Sequence, residues 1–221
     1  MNKINYDNLM EEIMGERGCE SSVYMSVGNG ATVPPLKILL HSCCAPCSSA
    51  CIERLCDRCD VTVYYYNPNI GEEAEYLKRK EEQIRLIGRY NAEKKGRYEI
   101  KILDADYDPE SFTSMAKGLE DCPERGARCH KCYELRLRRT ALAALDAGGF
   151  DYFATTLTLS PLKDSAAINA IGLRLEEETG MKYLPTDFKK RNGYLRSIEL
   201  SAEYDLYRQN YCGCIYSKRD Q

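Results

Sequence analysis

The chain has 221 residues, of which 43% are hydrophobic and 29% are charged, and its formal net charge is −3. This composition is typical of a soluble globular protein, and the small negative charge excludes a general attraction to nucleic acid, so that such binding must rest on a local patch. No apolar run is long enough to span a membrane, and residues 1–14 lack the basic start and apolar stretch of a signal peptide. The sequence therefore predicts a cytoplasmic protein that does not contact a membrane.

The order of the elements predicted from hydrophobic periodicity indicates an α/β fold. A helix is predicted over residues 3–14 and ended by Gly15, and residues 15–35 are predicted to be a flexible lead-in. Strands are predicted at 36–40, 61–66, 98–103, 151–157 and 182–184, and helices at 48–55, 72–90, 108–119, 129–145, 165–178 and 197–207. This alternation predicts a doubly wound, mostly parallel five-stranded sheet with helices on both faces. We expect residues 1–35 to be a helical and flexible extension, and residues 36–221 to be one α/β catalytic domain.

Cysteines are the most distinctive feature of the composition, since the chain contains twelve of them. Structural disulfides are rare in the cytosol, so this number favours metal or redox chemistry. The first predicted strand runs directly into Cys43, Cys44 and Cys47, which places sulfur at the carboxyl edge of the sheet, where open α/β folds bind ligands. Thiolates so close together suit a metal or a redox centre, and the alternative is a group of buried or free thiols.

A second pair, Cys129 and Cys132, lies at the start of the helix that leads to the fourth predicted strand. That helix must begin at the same carboxyl edge, and the amides exposed at its first turn favour thiolates. Together Cys43, Cys44, Cys129 and Cys132 would satisfy a [4Fe–4S] cluster or a zinc ion. Cys47 is a fifth candidate, for a second metal or for an exchangeable position. His130, between the paired cysteines, is a candidate for orienting a thiolate through a hydrogen bond.

The same spacing occurs at Cys56 and Cys59, with the opposite expectation. These residues end the helix that starts near Cys47, which is about 11 residues or about 16 Å long at the usual rise. We therefore expect them at the amino edge of the sheet, either incidental or forming a separate site.

The motif Cys212-Gly213-Cys214 near the end of the chain is of a different kind. One intervening residue makes a small, strained disulfide ring, which is easy to reduce, and Gly213 supplies the backbone freedom that the ring needs. The alternative is two free thiols in a frayed tail.

Six blocks of the sequence, in one order, resemble the cobalamin-independent epoxyqueuosine reductases of the QueH family. The resemblance extends over residues 36–217. The blocks are HSCCAPC, YNPNI followed by EEAEYLKR, RCHKCYELRL, DYFATTLTLSPLKD, DFKKRNGYLRSIELS and YRQNYCGCIYS.

The resemblance implies reduction of the epoxide in epoxyqueuosine to the alkene of queuosine, the last step of queuosine synthesis in tRNA. It implies a [4Fe–4S] cluster bound by Cys43, Cys44, Cys129 and Cys132, a redox-active disulfide between Cys212 and Cys214, and a fold similar to that of adenine nucleotide α-hydrolase and PP-loop enzymes. The partners would be tRNA carrying epoxyqueuosine and a separate electron donor. The cysteines outside the matching motifs receive no role, and these are Cys19, Cys51, Cys56, Cys59 and Cys122.

The chemistry of epoxide removal agrees with this assignment. The oxygen leaves as water and requires two electrons and two protons, which the Cys212/Cys214 dithiol could hold. A proton donor or a Lewis acid, such as an additional mononuclear iron, would assist the C–O cleavage. By chain position the candidates for this assistance are Cys47, His41, Asp104 and Asp106, although His41 is as well explained as a hydrogen-bonded residue at a strand end.

A basic loop provides the candidate contacts to the phosphates of a tRNA anticodon arm. Its cations are Lys189, Lys190, Arg191 and Arg196. An ordinary solvated loop would have the same composition.

Two other functions remain open at this point. One is a zinc-stabilised nucleic-acid-binding domain without catalysis. The other is a PP-loop-like tRNA-thiolating enzyme, which is disfavoured because the turn after the first strand has no glycine to let a phosphate approach the backbone.

Overall fold

The computed structural model describes residues 4–25 and 34–218, and within them the strands and helices alternate along the chain. The strands are β1 Leu36–His41, β2 Cys59–Tyr64, β3 Lys101–Leu103 and β4 Tyr152–Thr155. The helices are α1 Tyr6–Met25, α2 Ala45–Leu55, α3 Glu73–Ala92, α4 Pro109–Ala116, α5 Ala127–Ala147, α6 Ser165–Thr179 and α7 Gly193–Glu203. None of the described helices is long and apolar enough to cross a membrane.

The four strands form one parallel sheet in the order β3-β2-β1-β4. The register pairs Leu36 with Cys59 at the amino edge, and His41 with Tyr64 and Thr155 at the carboxyl edge. From β1 the chain moves outward through β2 to β3 and then returns to the other side of β1. The switch point of the sheet therefore lies between the carboxyl ends of β1 and β4, where a crevice for ligands is expected.

The predicted fifth strand at residues 182–184 is not a strand of this sheet, and the prediction of five strands is wrong. Tyr183 forms a single parallel bridge with Phe153. The Phe153 N–H donates to the Lys182 carbonyl at 2.9 Å, and the Leu184 N–H donates to the Phe153 carbonyl at 2.9 Å. The next residue, Pro185, has no N–H to donate and cannot extend a ladder, which limits the pairing to this bridge.

The sheet has helices on both faces, as predicted. On β1, Ile38 and Leu40 pack in the apolar cluster that contains residues of α1, α2, α3 and α7. Leu39, whose side chain points the other way, packs in the cluster formed with α5 and α6. Such alternation of buried residues on one strand is what burial on both faces requires.

Local signals fix several helix ends. The Asp108 carboxylate accepts from the Ser111 N–H at 3.1 Å and caps α4. The Asp164 carboxylate caps α6 in the same way, and Gly180 ends that helix with φ +77°, in the left-handed region where glycine carries no steric cost.

The amino-terminal helix differs from the prediction, because α1 continues through Gly15 to Met25. An interior glycine costs a helix only about 1 kcal/mol, which packing offsets. Met10 and Met14 are buried in the same cluster as α2 and α7. Residues 26–33 of the expected lead-in lie outside the described part of the chain, and the domain boundary at residue 35 stays a prediction.

Candidate metal and redox site

A cavity of about 340 Å³ opens at the switch point of the sheet. Seven cysteines line it, namely Cys43, Cys44, Cys47, Cys129, Cys132, Cys212 and Cys214. The turn after β1, the first turns of α5 and the end of the chain therefore meet at one place. This confirms the expectation that the two groups of paired cysteines share the carboxyl edge.

The turn after β1 supplies the tightest group of sulfurs. The sulfur atoms of Cys43, Cys44 and Cys47 all lie within 4.8 Å of one another, and those of Cys43 and Cys44 are 3.9 Å apart. Cys44 is the N-cap of α2, and Pro46 in the first turn favours helix initiation. The Thr156 hydroxyl, just after β4, accepts from the Cys43 N–H at 3.2 Å. Both strands at the switch point thus fix this turn.

The pKa values of the three thiols in this group are shifted in different directions. Hydrogen bonds from the Cys44 and Cys47 thiols hold the pKa of Cys43 well below its ordinary value despite burial, and Lys163 and Arg136 add to this effect. The hydrogen bond with Cys43 raises the pKa of Cys44 to about 12. Hydrogen bonds with Cys43 and Cys44 raise the pKa of Cys47 well above its ordinary value. Of the three, Cys43 is therefore the thiol that loses its proton most readily.

Cys129 and Cys132 are presented by the start of α5. The Arg125 N–H donates to the Cys129 sulfur at 3.3 Å. The N-cap is Gly126, where a Cβ atom would lie 2.9 Å from the Pro123 carbonyl oxygen, so the turn into the helix requires glycine. Burial raises the pKa of Cys132 to about 12, and the Arg136 charge opposes this rise.

The end of the chain brings Cys212 and Cys214 to the cavity. The Cys212 carbonyl accepts from the Asn69 side-chain amide at 3.1 Å and from Arg79 at 3.4 Å. Gly213 has φ +98°, and a Cβ atom there would lie 2.6 Å from Ile70, so glycine is required at this position. The tail is anchored rather than frayed. Both cysteines are free thiols in the structure, and their disulfide stays a prediction.

A buried polar network that was not predicted from the sequence supports the cysteine turn on the side away from the cavity. The Gln83 carbonyl oxygen accepts from the Ser42 hydroxyl at 2.6 Å and from the Ser48 hydroxyl at 2.7 Å. The Asn67 amide donates to the Ser42 carbonyl at 2.9 Å. These contacts fix the turn from α3 and from the loop after β2. The sequence signal that could have indicated this network is Asn67, in the motif after the second predicted strand.

The predicted histidines and aspartates do not border the cavity. His41 is fully buried behind the turn, where its Nδ1 contacts the Thr155 hydroxyl at 2.9 Å. Burial lowers its pKa to about 3, so it is neutral and cannot serve as the acid for C–O cleavage. His130 and Asp106 are exposed, and Asp104 pairs with Lys80 on the surface. Of the four proton-donor candidates only Cys47 lines the cavity.

The cavity is strongly cationic, in contrast to the chain as a whole. Its charged residues are the cations Arg125, Arg128, Arg136, Lys163 and Arg208 and the single acid Glu124. Arg125 donates to the carbonyls of Pro161 and Leu162, both at 2.9 Å. Backbone carbonyls hold a guanidinium in place without neutralising its charge, so the cavity keeps a positive field.

The basic loop predicted from sequence is largely neutralised. Arg196 donates to both carboxylate oxygens of Glu53, at 2.8 and 2.7 Å, and Arg191 pairs with Asp7 at 3.0 Å. Lys189 lies 3.7 Å from Asp187, and Lys190 is exposed. The loop fixes α1 and α2 to α7, and phosphate binding by it stays a prediction.

The remaining cysteines lie elsewhere. Cys56 ends α2, and Cys59 begins β2 at the amino edge, as expected. The Cys51 thiol is buried and lies 3.2 Å from the Cys47 carbonyl, and Cys122 lies in the loop before α5. The side chain of Cys19 is outside the described part of the chain.

The donor set fits an iron–sulfur cluster. Cys43, Cys44, Cys129 and Cys132 all line the cavity, and its cations would offset the negative charge of four thiolates. Among the described residues, the sulfurs already within 4.8 Å of one another are those of Cys43, Cys44 and Cys47. One guanidinium nitrogen of Arg136 is buried there without a hydrogen-bond partner among the described residues. A zinc ion would suit the same sulfur donors, although four arginines and a lysine around it exceed what a structural site needs.

Comparison with known proteins gives one family. The family model described as epoxyqueuosine reductase QueH matches residues 38–220. Proteins of that name from Streptococcus pyogenes serotype M1 and Staphylococcus epidermidis are 43% and 42% identical over 219 and 223 residues, covering 99% of this chain and 80% and 87% of theirs. The relative from Thermotoga maritima is 34% identical over 183 residues, covering 81% of this chain and 89% of its own. The chain belongs to the epoxyqueuosine reductase QueH family.

Proposed function

We propose that the protein reduces epoxyqueuosine in tRNA to queuosine with an iron–sulfur cluster and a pair of redox-active cysteines. The observation that carries this proposal is the convergence of seven cysteines and five cations on one cavity at the switch point of the sheet. Membership in a family of reductases favours this function over a zinc-stabilised binding domain and over a thiolating ATPase. A tRNA substrate agrees with the cytoplasmic location expected from the sequence.

The ligands of a [4Fe–4S] cluster would be Cys43, Cys44, Cys129 and Cys132, and such a cluster supplies electrons one at a time. Two features of the chain suit these residues to the task. The pKa of Cys43 is held well below its ordinary value by hydrogen bonds from Cys44 and Cys47, and Cys129 accepts a backbone N–H bond that a negative sulfur would strengthen. Cys47 is the further candidate for binding a mononuclear iron or for donating a proton.

Cys212 and Cys214 would supply the electron pair. In the overall reaction both C–O bonds of the epoxide break, a C=C bond forms and the oxygen leaves as water. The dithiol loses two protons and two electrons and becomes a disulfide, so atoms and electrons balance. A separate electron donor would then reduce the disulfide for the next turnover.

The size of the cavity supports an extruded base as its occupant. At about 340 Å³ it lies near the lower end of the range for ligand pockets, about 300–1,000 Å³. It is too small for a helical stem, and a cluster would fill part of it, so only a single splayed base could reach it, which agrees with recognition of splayed bases in RNA loops. Tyr133, Tyr194 and Tyr211 line it, and aromatic side chains of this kind stack on bases.

The cations at the cavity wall support contacts to RNA phosphates. Arg208 donates to the Ser197 carbonyl and to the Ser201 hydroxyl, at 3.3 and 2.9 Å, and Arg128 donates to two carbonyls of the loop after α4. Neither arginine has a carboxylate partner among the described residues. Arg208 is exposed, so its charge remains available to phosphate, whereas Arg128 is 4% exposed and its guanidinium lies over the Tyr216 ring.

The proposal is tested by incubating anaerobically purified protein with tRNA that carries epoxyqueuosine and a chemical reductant. Nucleoside mass spectrometry should show the loss of one oxygen from the modified base. The Cys212→Ser variant serves as the matched control, since it should retain its iron but not sustain turnover. Conversion that proceeds equally well in protein stripped of iron would contradict the proposal.

A further inference from the structure

Arg136 is a buried cation whose positive charge no described residue compensates. Its side chain is 1% exposed, and no carboxylate lies within ion-pair distance of it in the described part of the chain. Arg79 is equally buried, at 2% exposure, but pairs with Glu75 at 2.7 Å. Burying an unpaired ion costs several kcal/mol, so a counter-charge for Arg136 is expected from another source.

The neighbours that hold Arg136 are neutral. Its Nε donates to His41 Nε2 at 3.3 Å, and one terminal nitrogen donates to the Asn67 side-chain carbonyl. Neither an imidazole nor a side-chain amide carries a negative charge, so neither neighbour compensates the guanidinium. His41 Nδ1 is in turn 2.9 Å from the Thr155 hydroxyl, which fixes the ring. This arrangement orients the guanidinium without neutralising it.

The remaining terminal nitrogen of Arg136 is buried and has no hydrogen-bond partner among the described residues. Arg136 lines the cavity, and Cys132, which also lines it, lies one turn earlier on the same face of α5. The sulfurs that interact electrostatically with the guanidinium belong to Cys132, Cys212 and Cys43, all at the cavity. Of these, Cys132 and Cys43 would carry negative charge as thiolates bound to a metal group.

We infer that Arg136 is the positioned counter-charge of the thiolate-bound group in this cavity, and that it raises the reduction potential of that group. The inference rests on the proposed function, because it takes the group to be an iron–sulfur cluster. Reduction adds one negative charge to a group that is already negative, and a fixed cation nearby favours that step. Arg136 is a positioning residue in this account and does not contact the substrate.

The test is a redox titration of the protein purified anaerobically with its cluster, followed by visible absorption and electron paramagnetic resonance. Arg136→Gln should retain iron but have a midpoint potential more negative than that of the wild type. Arg136→Lys keeps the charge and should restore most of the difference. The matched control is Arg138→Gln on the same helix. Arg138 pairs with Glu134 and Glu178 at the surface, so this substitution should leave the midpoint potential unchanged.

A second variant covers the case in which Arg136→Gln does not retain iron. Asn67→Asp places a carboxylate against the guanidinium while Arg136 stays in place, so it should also lower the potential; Asn67→Leu, which equally loses the amide bond to the Ser42 carbonyl but adds no charge, is its control. The inference would be overturned if Arg136→Gln had the same midpoint potential as the wild type. If Arg136→Gln holds no iron, an unchanged midpoint potential in Asn67→Asp would overturn it instead. An equal shift of the midpoint potential in Arg136→Lys and Arg136→Gln would also overturn it. Absence of iron from the wild type would overturn the proposed function itself.

Discussion

Three Cys-x-x-Cys pairs occur in this chain, and the fold completely separates two of them, Cys129/Cys132 and Cys56/Cys59; the third, Cys44/Cys47, lies at the same cavity as the first. Cys129 and Cys132 begin α5 at the carboxyl edge of the sheet and face a cationic cavity. Cys56 and Cys59 lie at the amino edge, between the end of α2 and the start of β2. The motif is the same in both, and only the first pair meets other cysteines that could complete a metal site among the residues that the structure describes.

The surroundings of the second pair show why it is structural. The Cys56 thiol donates to the Lys95 carbonyl at 3.6 Å, and the Cys59 thiol packs against the Met14 sulfur at 3.8 Å. Burial raises the pKa of Cys56 to about 11 and that of Cys59 to about 12, but it raises the pKa of Cys132 to about 12 as well, so thiol protonation does not separate the two pairs. Spacing makes a chelate possible, and the edge of the sheet decides which other cysteines and cations lie beside it.

The largest difference between the pairs should appear in iron content. Replacing Cys43, Cys44, Cys129 or Cys132 by Ser should remove most of the bound iron and abolish activity, because each change removes a thiolate ligand. Replacing Cys56 or Cys59 by Ser should leave iron unchanged. Iron analysis of all six anaerobically purified variants makes the comparison, and iron loss in Cys56→Ser equal to that in Cys129→Ser would refute it.

The tail cysteines sharpen the comparison, since they share the cavity without being proposed as ligands. Changing Cys212 or Cys214 to Ser should preserve iron and visible absorption but stop multiple turnovers. Thiol labelling should find two fewer reactive thiols in the oxidised protein than in the reduced protein, both in the tail. Loss of iron from Cys212→Ser would instead make this residue a cluster ligand.

A smaller effect is expected for tRNA affinity. Changing Arg125 and Arg208, which are exposed at the cavity, to Ala should weaken tRNA binding and reduce the slope of its salt dependence by about 1 for each phosphate that the protein no longer neutralises. The matched control changes Arg191 and Arg196, which are paired with carboxylates, and should leave the slope nearly unchanged. If only the control pair flattens the slope, the loop at residues 189–196 is the RNA surface.

The smallest effect concerns stability near the second pair, where α1 covers Cys59. Although burial opposes it, hydrogen bonds from Arg58 and Arg54 lower the pKa of Glu11 from 4.5 to about 2. This carboxylate stabilises the fold above its unfolded pKa, and the contribution is lost as pH falls through about 2.

Glu11→Gln should therefore lower the free energy of unfolding by about 1 kcal/mol at neutral pH, with iron content unchanged. The difference from the wild type should shrink as pH falls from 4.5 towards 2, as measured by urea unfolding at a series of pH values. A difference that stays constant over this range would mean that the charge of Glu11 is not involved.

Much of the site was predictable because the end of a strand determines its edge. Cys43 follows β1 and Cys129 begins the crossover to β4, so their meeting follows from topology alone. The charges were not predictable in this way. Arg136 and Arg138 look alike in sequence, yet one is buried without a carboxylate among the described residues and the other pairs at the surface.

The errors in the fold have equally local causes. The short apolar segment before Pro185 has the composition of a strand, but it forms only one bridge. From the sequence, Arg196 in the basic loop could bind a phosphate. In the structure it pairs with Glu53 of α2, which is 143 positions away in the chain. Such pairings depend on how helices pack, which the spacing of residues does not encode.

The central claim is that the thiolate-lined cavity at the switch point holds an iron–sulfur cluster. The most direct test is the iron, acid-labile sulfide and zinc content of the wild-type protein purified without oxygen, with its visible spectrum. We predict a brown protein with iron and sulfide in equal amounts, about four of each per chain for one [4Fe–4S] cluster. A colourless protein that contains zinc and no sulfide would contradict the account.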